Sequence, residues 1–145
     1  MVTLSLIGMV IFTSLLLYMS LKGGTQKSIS ALAGNFRWVL LLALWSQILL
    51  APQLFTMAPE NWKWLVFFGV AGIITCGGAN VLDKTDELVH IISAIVSFVC
   101  LFVLVILINP ICLVPLALCL AGGKENLKWR SEIGLISSVY LMLLL

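Results

Sequence analysis

The stretch LVHIISAIVSFVCLFVLVILINPICLVPLALCLAGG, residues 88–123, decides the fold. It runs for 36 residues without a formal charge and holds the chain's one histidine, His90. As a single straight helix it would be about 54 Å long at 1.5 Å per residue. That is nearly twice the roughly 30 Å hydrocarbon thickness of a bilayer. The segment must therefore tilt steeply, break or turn back. Asn109-Pro110 is the place to break, because proline disfavours helix in the residue before it and suits the first position of a new one. The reading is a long span over 88–108 and a short element over 110–121. The short element either crosses thinned lipid at a tilt or is re-entrant and buried by its neighbours.

The rest of the chain has the same character. Of 145 residues 62% are hydrophobic, and only eight Lys or Arg and six Asp or Glu carry charge. Soluble domains are about 45–50% apolar and about 25% charged. This balance excludes an ordinary cytosolic domain, a disordered chain and a nucleic-acid binder. The first partner expected is the lipid bilayer. Further apolar runs cover 2–21, 38–57, 62–79 and 127–145. The first lacks a basic stretch ahead of it, and Lys22 comes after it, so it reads as a permanent span and not a signal peptide.

Charge placement decides between five and six elements. With six, one side carries Lys22, Lys27, Arg37, Lys84, Lys124, Lys128 and Arg130, and the other only Lys63. With five, the last basic cluster changes sides and the bias vanishes. The positive-inside rule selects six. The expected fold is thus an all-α polytopic bundle in the cytoplasmic (inner) membrane. It has six helical elements, the fifth short, and both termini outside. Trp38, Trp62, Trp64 and Trp129 fall at expected helix ends, as an aromatic belt requires. Trp45 does not, and is either packed or lipid-facing.

Few residues carry chemistry. Asp83, Glu87 and His90 are spaced i, i+4, i+7, and Asp86 is also four residues from His90. Two carboxylates and an imidazole on one face could hold a divalent metal or relay a proton. The simpler reading is an acidic first turn that complements the helix dipole. Cys76, Cys100, Cys112 and Cys119 have no CxxC spacing and sit in apolar runs, where cysteine acts as a small hydrophobe. Gln47 lies mid-span, as glue between helices or as part of a polar path. Gly69, Gly72 and Cys76 form a small-residue stripe for close helix packing, within the chain or between copies. Lys124, Glu125, Lys128, Arg130 and Glu132 read as a solvated anchor at the cytoplasmic face. Pro52-Gln53 is similar to the hinge dipeptide of small sugar transporters, but their repeated three-helix unit has no second copy here. The simpler reading is a helix-ending proline with an interfacial glutamine.

The linker with Ser28-Ile29-Ser30 and the span opening His90-Ile91-Ile92-Ser93-Ala94 resemble small six-span membrane proteins of unknown function from bacteria and phages. The arrangement is also similar to the DRAM/Sfk-type membrane families. The resemblance implies a six-helix bundle whose central helix opens with a histidine followed four residues later by alanine, here His90 and Ala94. It implies no activity. The expected role is non-enzymatic and needs no cofactor: an oligomeric bundle, or a subunit of a membrane-protein assembly. The alternatives are a small channel, transporter or phage-type permeabilising protein, and a lipid-active enzyme centred on His90.

Overall fold

The computed structural model describes residues 2–23, 33–82, 87–122 and 126–145. Every regular element is helical, and no strand occurs among the described residues. The α-helices are α1 (Val2–Gly23), α2 (Ala33–Ser46), α3 (Ala51–Met57), α4 (Lys63–Leu82), α5 (Glu87–Ile108), α6 (Val114–Ala121) and α7 (Leu127–Leu144). Short 3-10 turns precede α3, α4 and α6. Four stretches are long and apolar enough to cross a membrane: Val2–Lys22, Phe36–Met57, Glu60–Ala79 and Leu88–Ile108. Their outward faces are apolar too, with Val10, Phe67, Leu88 and Leu107 among the large exposed side chains. Such a surface suits lipid and not water.

The long apolar run breaks at Asn109, which is extended at φ −157°, ψ 95°. Its side-chain oxygen accepts a bond from the Ile111 N–H at 3.3 Å, capping the turn that Pro110 opens. The second span is discontinuous for a related reason. Pro52 has no N–H and its ring crowds the carbonyl four residues back, so a regular helix cannot run through it. The chain tightens into a 3-10 turn over Gln47–Leu50, and the Ala51 N–H bonds to the Ile48 carbonyl. Pro52 then falls in the first turn of α3, where no N–H is needed.

Glycines set the helix contacts. A Cβ on Gly72 would sit 2.7 Å from the Ser93 carbonyl oxygen and 2.9 Å from Ser97 Cβ, so α4 and α5 touch backbone to backbone. The Ser97 hydroxyl donates to the Gly69 carbonyl across this seam at 2.9 Å. The small-residue stripe is therefore occupied by α5 of the same chain. Gly8 makes a similar close approach to Ser46, joining α1 to the second span. Gly134 meets Leu116 and Cys119, joining α7 to α6. One turn on, Ser138 Oγ accepts from the Leu116 N–H at 3.3 Å, so α7 supplies a cap for the start of α6. Helix starts leave such N–H groups without an internal partner.

These contacts bring Lys22 at the end of α1, Arg37 near the start of α2, and Lys128 and Arg130 at the start of α7 to one end of the bundle. Lys63 lies at the other end, paired with Glu60 and 5.0 Å from the Phe55 ring centre. Trp62 and Trp64 stack there with ring centres 5.8 Å apart. Trp45 is 44% exposed and faces outward. Trp129 turns inward and packs beside Phe12, Met19, Leu40 and Ala43.

The core has two parts. The larger joins Met9, Leu50, Leu54, Leu65, Val66, Leu104, Val105, Cys112, Met142 and Leu143. The smaller, around Phe12 and Leu40, holds α1, α2 and α7 together nearer the basic end.

Candidate functional site

A cavity of about 460 Å³ opens beside α5 and α7, with α1, α2 and α4 completing its walls. Its lining is apolar along most of its length: Phe12, Ile73, Phe98, Leu101, Leu135 and Val139. Polar side chains collect in two places. Cys76, His90, Lys128 and Glu132 lie toward the basic end, where α4 finishes and α5 and α7 begin. Gln47 and Tyr140 lie deeper. Leu101, Leu135 and Val139 also belong to the larger core, so the cavity wall is continuous with it.

His90 reaches the cavity because α5 starts at Glu87, which puts the imidazole in the first turn, against the last turns of α4. Its Nδ1 lies 3.3 Å from Cys76 Sγ and 3.4 Å from the Cys76 carbonyl oxygen. An unprotonated Nδ1 accepts from the thiol, and a protonated one donates to the carbonyl. The carboxylates that the sequence groups with His90 are not among the described side chains. Asp83 and Asp86 lie outside the described residues, and Glu87 opens α5. Among the described residues, no three His, Cys, Asp or Glu side chains come close enough together to hold a metal ion. The neighbour the structure does give His90 is a thiol fourteen residues away on the adjoining helix. Cys100 and Cys112 are buried, and all four cysteines are free thiols.

Gln47 both joins helices and lines the cavity. Tyr140 Oη donates to Gln47 Oε1 at 3.0 Å, and Gln47 Nε2 reaches Ser46 Oγ at 3.4 Å. Ser46 in turn donates to the Ala43 carbonyl at 2.6 Å, with Gly8 O at 3.3 Å. The proline-broken span thus supplies a polar link between α1, the second span and α7. A helix left discontinuous at membrane depth is tolerated where neighbours or a cavity satisfy its backbone.

The structure adds to the sequence reading at three places. Lys128 is exposed, as an anchor is, and Glu132 is half-buried. They are four residues apart, on one face of α7, and both line the cavity. Gln53 is buried and does not face solvent: it is 9% exposed, and its Nε2 donates to the Leu143 carbonyl at 2.8 Å. Tyr140 drew no attention in the sequence, because an aromatic in an apolar tail looks like packing. Only the fold brings it to Gln47, 93 residues away.

The chain matches no protein-family model, no curated protein and no solved structure.

Proposed function

We propose that this is a multi-pass protein of the cytoplasmic membrane, with both termini outside, that carries a small molecule. The molecule enters from the cytoplasmic face into the cavity beside α5 and α7. The cavity itself carries this reading: its charged side chains gather at the basic end, and its deeper wall is continuous with the apolar core. A cavity beside a broken span is where carriers place their binding sites. The volume lies within the roughly 300–1,000 Å³ usual for small-molecule sites. The basic end faces the cytoplasm by the positive-inside rule. Arginine and lysine gather there, while Lys63 at the opposite end is already paired with Glu60.

Two observations favour a carrier over the other roles expected from the sequence. The stripe Gly69, Gly72, Cys76 is covered by α5, so it does not supply a seam between copies. His90 faces Cys76 and an apolar cavity, which suits a binding wall better than a hydrolytic centre. The test is flux through sealed proteoliposomes loaded with an alkali cation, acetate, laurate, glycine and a monosaccharide. Release of one of these above protein-free vesicles, abolished by Ala94→Trp in the cavity wall, supports the carrier. Vesicles tight to every solute overturn it.

A further inference from the structure

We propose that the break in the second span holds an alkali metal cation, bound by Ser5 Oγ, Gln53 Oε1 and the Leu49 carbonyl. Among the described residues, Ser5 Oγ and Gln53 Oε1 are the two buried side-chain oxygens with no hydrogen-bond partner. Ser5 is 1% exposed and Gln53 9%. An unmatched buried polar atom is costly, and an ion or a water beside it is what removes the cost.

The two oxygens belong to facing helices. α1 runs antiparallel to the second span: Phe12 packs with Leu40 and Ala43, and a Cβ added to Gly8 would lie 3.1 Å from Leu49 Cβ and 3.3 Å from Leu50 Cδ1. One turn back along α1 from Gly8 is Ser5, and one turn on from Leu49 and Leu50 is Gln53. α1 also touches α3 directly. The Gln53 amide is oriented by its Nε2, which donates to the Leu143 carbonyl at 2.8 Å, so Oε1 is left as an acceptor.

Pro52 adds the third oxygen. In a 3-10 turn each carbonyl accepts from the N–H three residues on, and Ile48 accepts from Ala51 in this way. Leu49 would need the N–H of residue 52, which proline lacks. Helical carbonyls point toward the C-terminal end, here toward Gln53. Three neutral oxygens suit a single positive charge, whereas calcium and magnesium sites are built with carboxylates. Unwound carbonyls at broken spans coordinate the monovalent ions of carriers.

The place of the ion links it to the cavity. Gln47 and Gln53 stand on either side of the break, and Gln47 lines the cavity and accepts from Tyr140. An ion that ties α1 to the break fixes the angle between the two halves of the span, and with it the position of Gln47. Ion and cargo then alter each other's affinity by the same factor. This coupling rests on the carrier reading; the ion site does not.

The experiment follows thermal unfolding of the full chain in detergent micelles by circular dichroism. Lithium, sodium, potassium, caesium and magnesium chlorides are each compared with choline chloride at equal ionic strength. At ten times its dissociation constant, the preferred alkali cation should raise the midpoint by about 3–6 °C. Ser5→Ala and Gln53→Met should each abolish that rise, every variant being compared with its own midpoint in choline. Ser131→Ala removes an exposed hydroxyl that donates to the Lys128 carbonyl, and should keep it. A bridging water would satisfy the same oxygens in every salt. Equal midpoints in all salts therefore overturn the inference. So does a rise that survives either Ser5→Ala or Gln53→Met in full, or a rise larger with magnesium than with any alkali salt. A saturable alkali rise in a protein whose vesicles stay tight to every solute would keep the site and remove the carrier. Release of a solute with no alkali rise would do the reverse.

Discussion

Replacing Gly72 with alanine tests the packing that positions the cavity. The added Cβ would lie 2.7 Å from the Ser93 carbonyl oxygen, 2.9 Å from Ser97 Cβ and 3.1 Å from Ser97 N. Two of these three atoms are backbone, so no side chain can swing aside to relieve them. Ordinary contact begins near 3.4 Å, so α4 and α5 must part by several tenths of an ångström. That stretches the 2.9 Å bond from Ser97 Oγ to the Gly69 carbonyl and loosens the Cys76–His90 contact about one turn away. Overpacking costs about 1–3 kcal/mol. A weakened interhelical hydrogen bond adds up to about 0.6 kcal/mol, and the better helix propensity of alanine returns up to about 1 kcal/mol. The net expectation is a loss of roughly 0–3.5 kcal/mol, centred at about 2 kcal/mol. Gly78→Ala is the internal control. It lies on the same helix, and nothing comes within 4 Å of its added Cβ, so only the propensity gain remains. Reversible unfolding of the purified protein in mixed micelles, followed by far-UV circular dichroism, would read both. Gly72→Ala should unfold at clearly lower denaturant than wild type, and Gly78→Ala at equal or higher. Equal shifts for the two variants would refute the backbone contact between α4 and α5.

Three further outcomes can be measured in the same assay. Ser138→Ala should cost about 1 kcal/mol, because the Leu116 N–H loses the oxygen that caps α6. Tyr140→Phe and Gln47→Leu should each destabilise by about 0.5–2 kcal/mol, and a double-mutant cycle should return a coupling of about 0.6 kcal/mol between them. Additive effects would show that the 3.0 Å bond contributes nothing. Gln53→Met should cost less than about 1 kcal/mol despite losing the bond to Leu143, because Gln53 Oε1 is buried without a partner and its removal offsets that loss.

How far the sequence could be read depended on whether the cause was local. The break at Asn109-Pro110 was legible because proline lacks an N–H and asparagine caps the turn beside it, whatever surrounds them. The small-residue stripe was legible as a packing face, though its occupant was not. Gly134 and Ser138, four residues apart on one face of α7, carry the same small-residue signal, hidden by the apolar character of the last run. Pro52 announced a break, yet the sequence could not say that the resulting turn would bind Gln47 to Tyr140. The cavity itself was not legible. Its mouth gathers residues from three helices separated by dozens of positions, and Lys128 and Glu132 looked like an ordinary charged helix start. Sequence spacing grouped His90 with the carboxylates just ahead of it. The α4–α5 crossing at Gly72 also brings it to Cys76, and a contact across a hairpin has no fixed spacing to reveal it.

The proposed carrier needs water to reach the cavity from the basic end and not from the opposite side of the membrane. Ile136 lines that cavity one turn deeper than Glu132. The direct measurement uses Ile136→Cys with Cys76→Ser and Cys119→Ser, in sealed membrane vesicles of both orientations, treated with a small membrane-impermeant thiol reagent. Lys128→Cys in the same background marks the mouth. Both positions should label in inside-out vesicles and stay unlabelled in right-side-out ones. Labelling of position 136 from the outer side, or labelling of position 128 while 136 stays inert in both orientations, would contradict it.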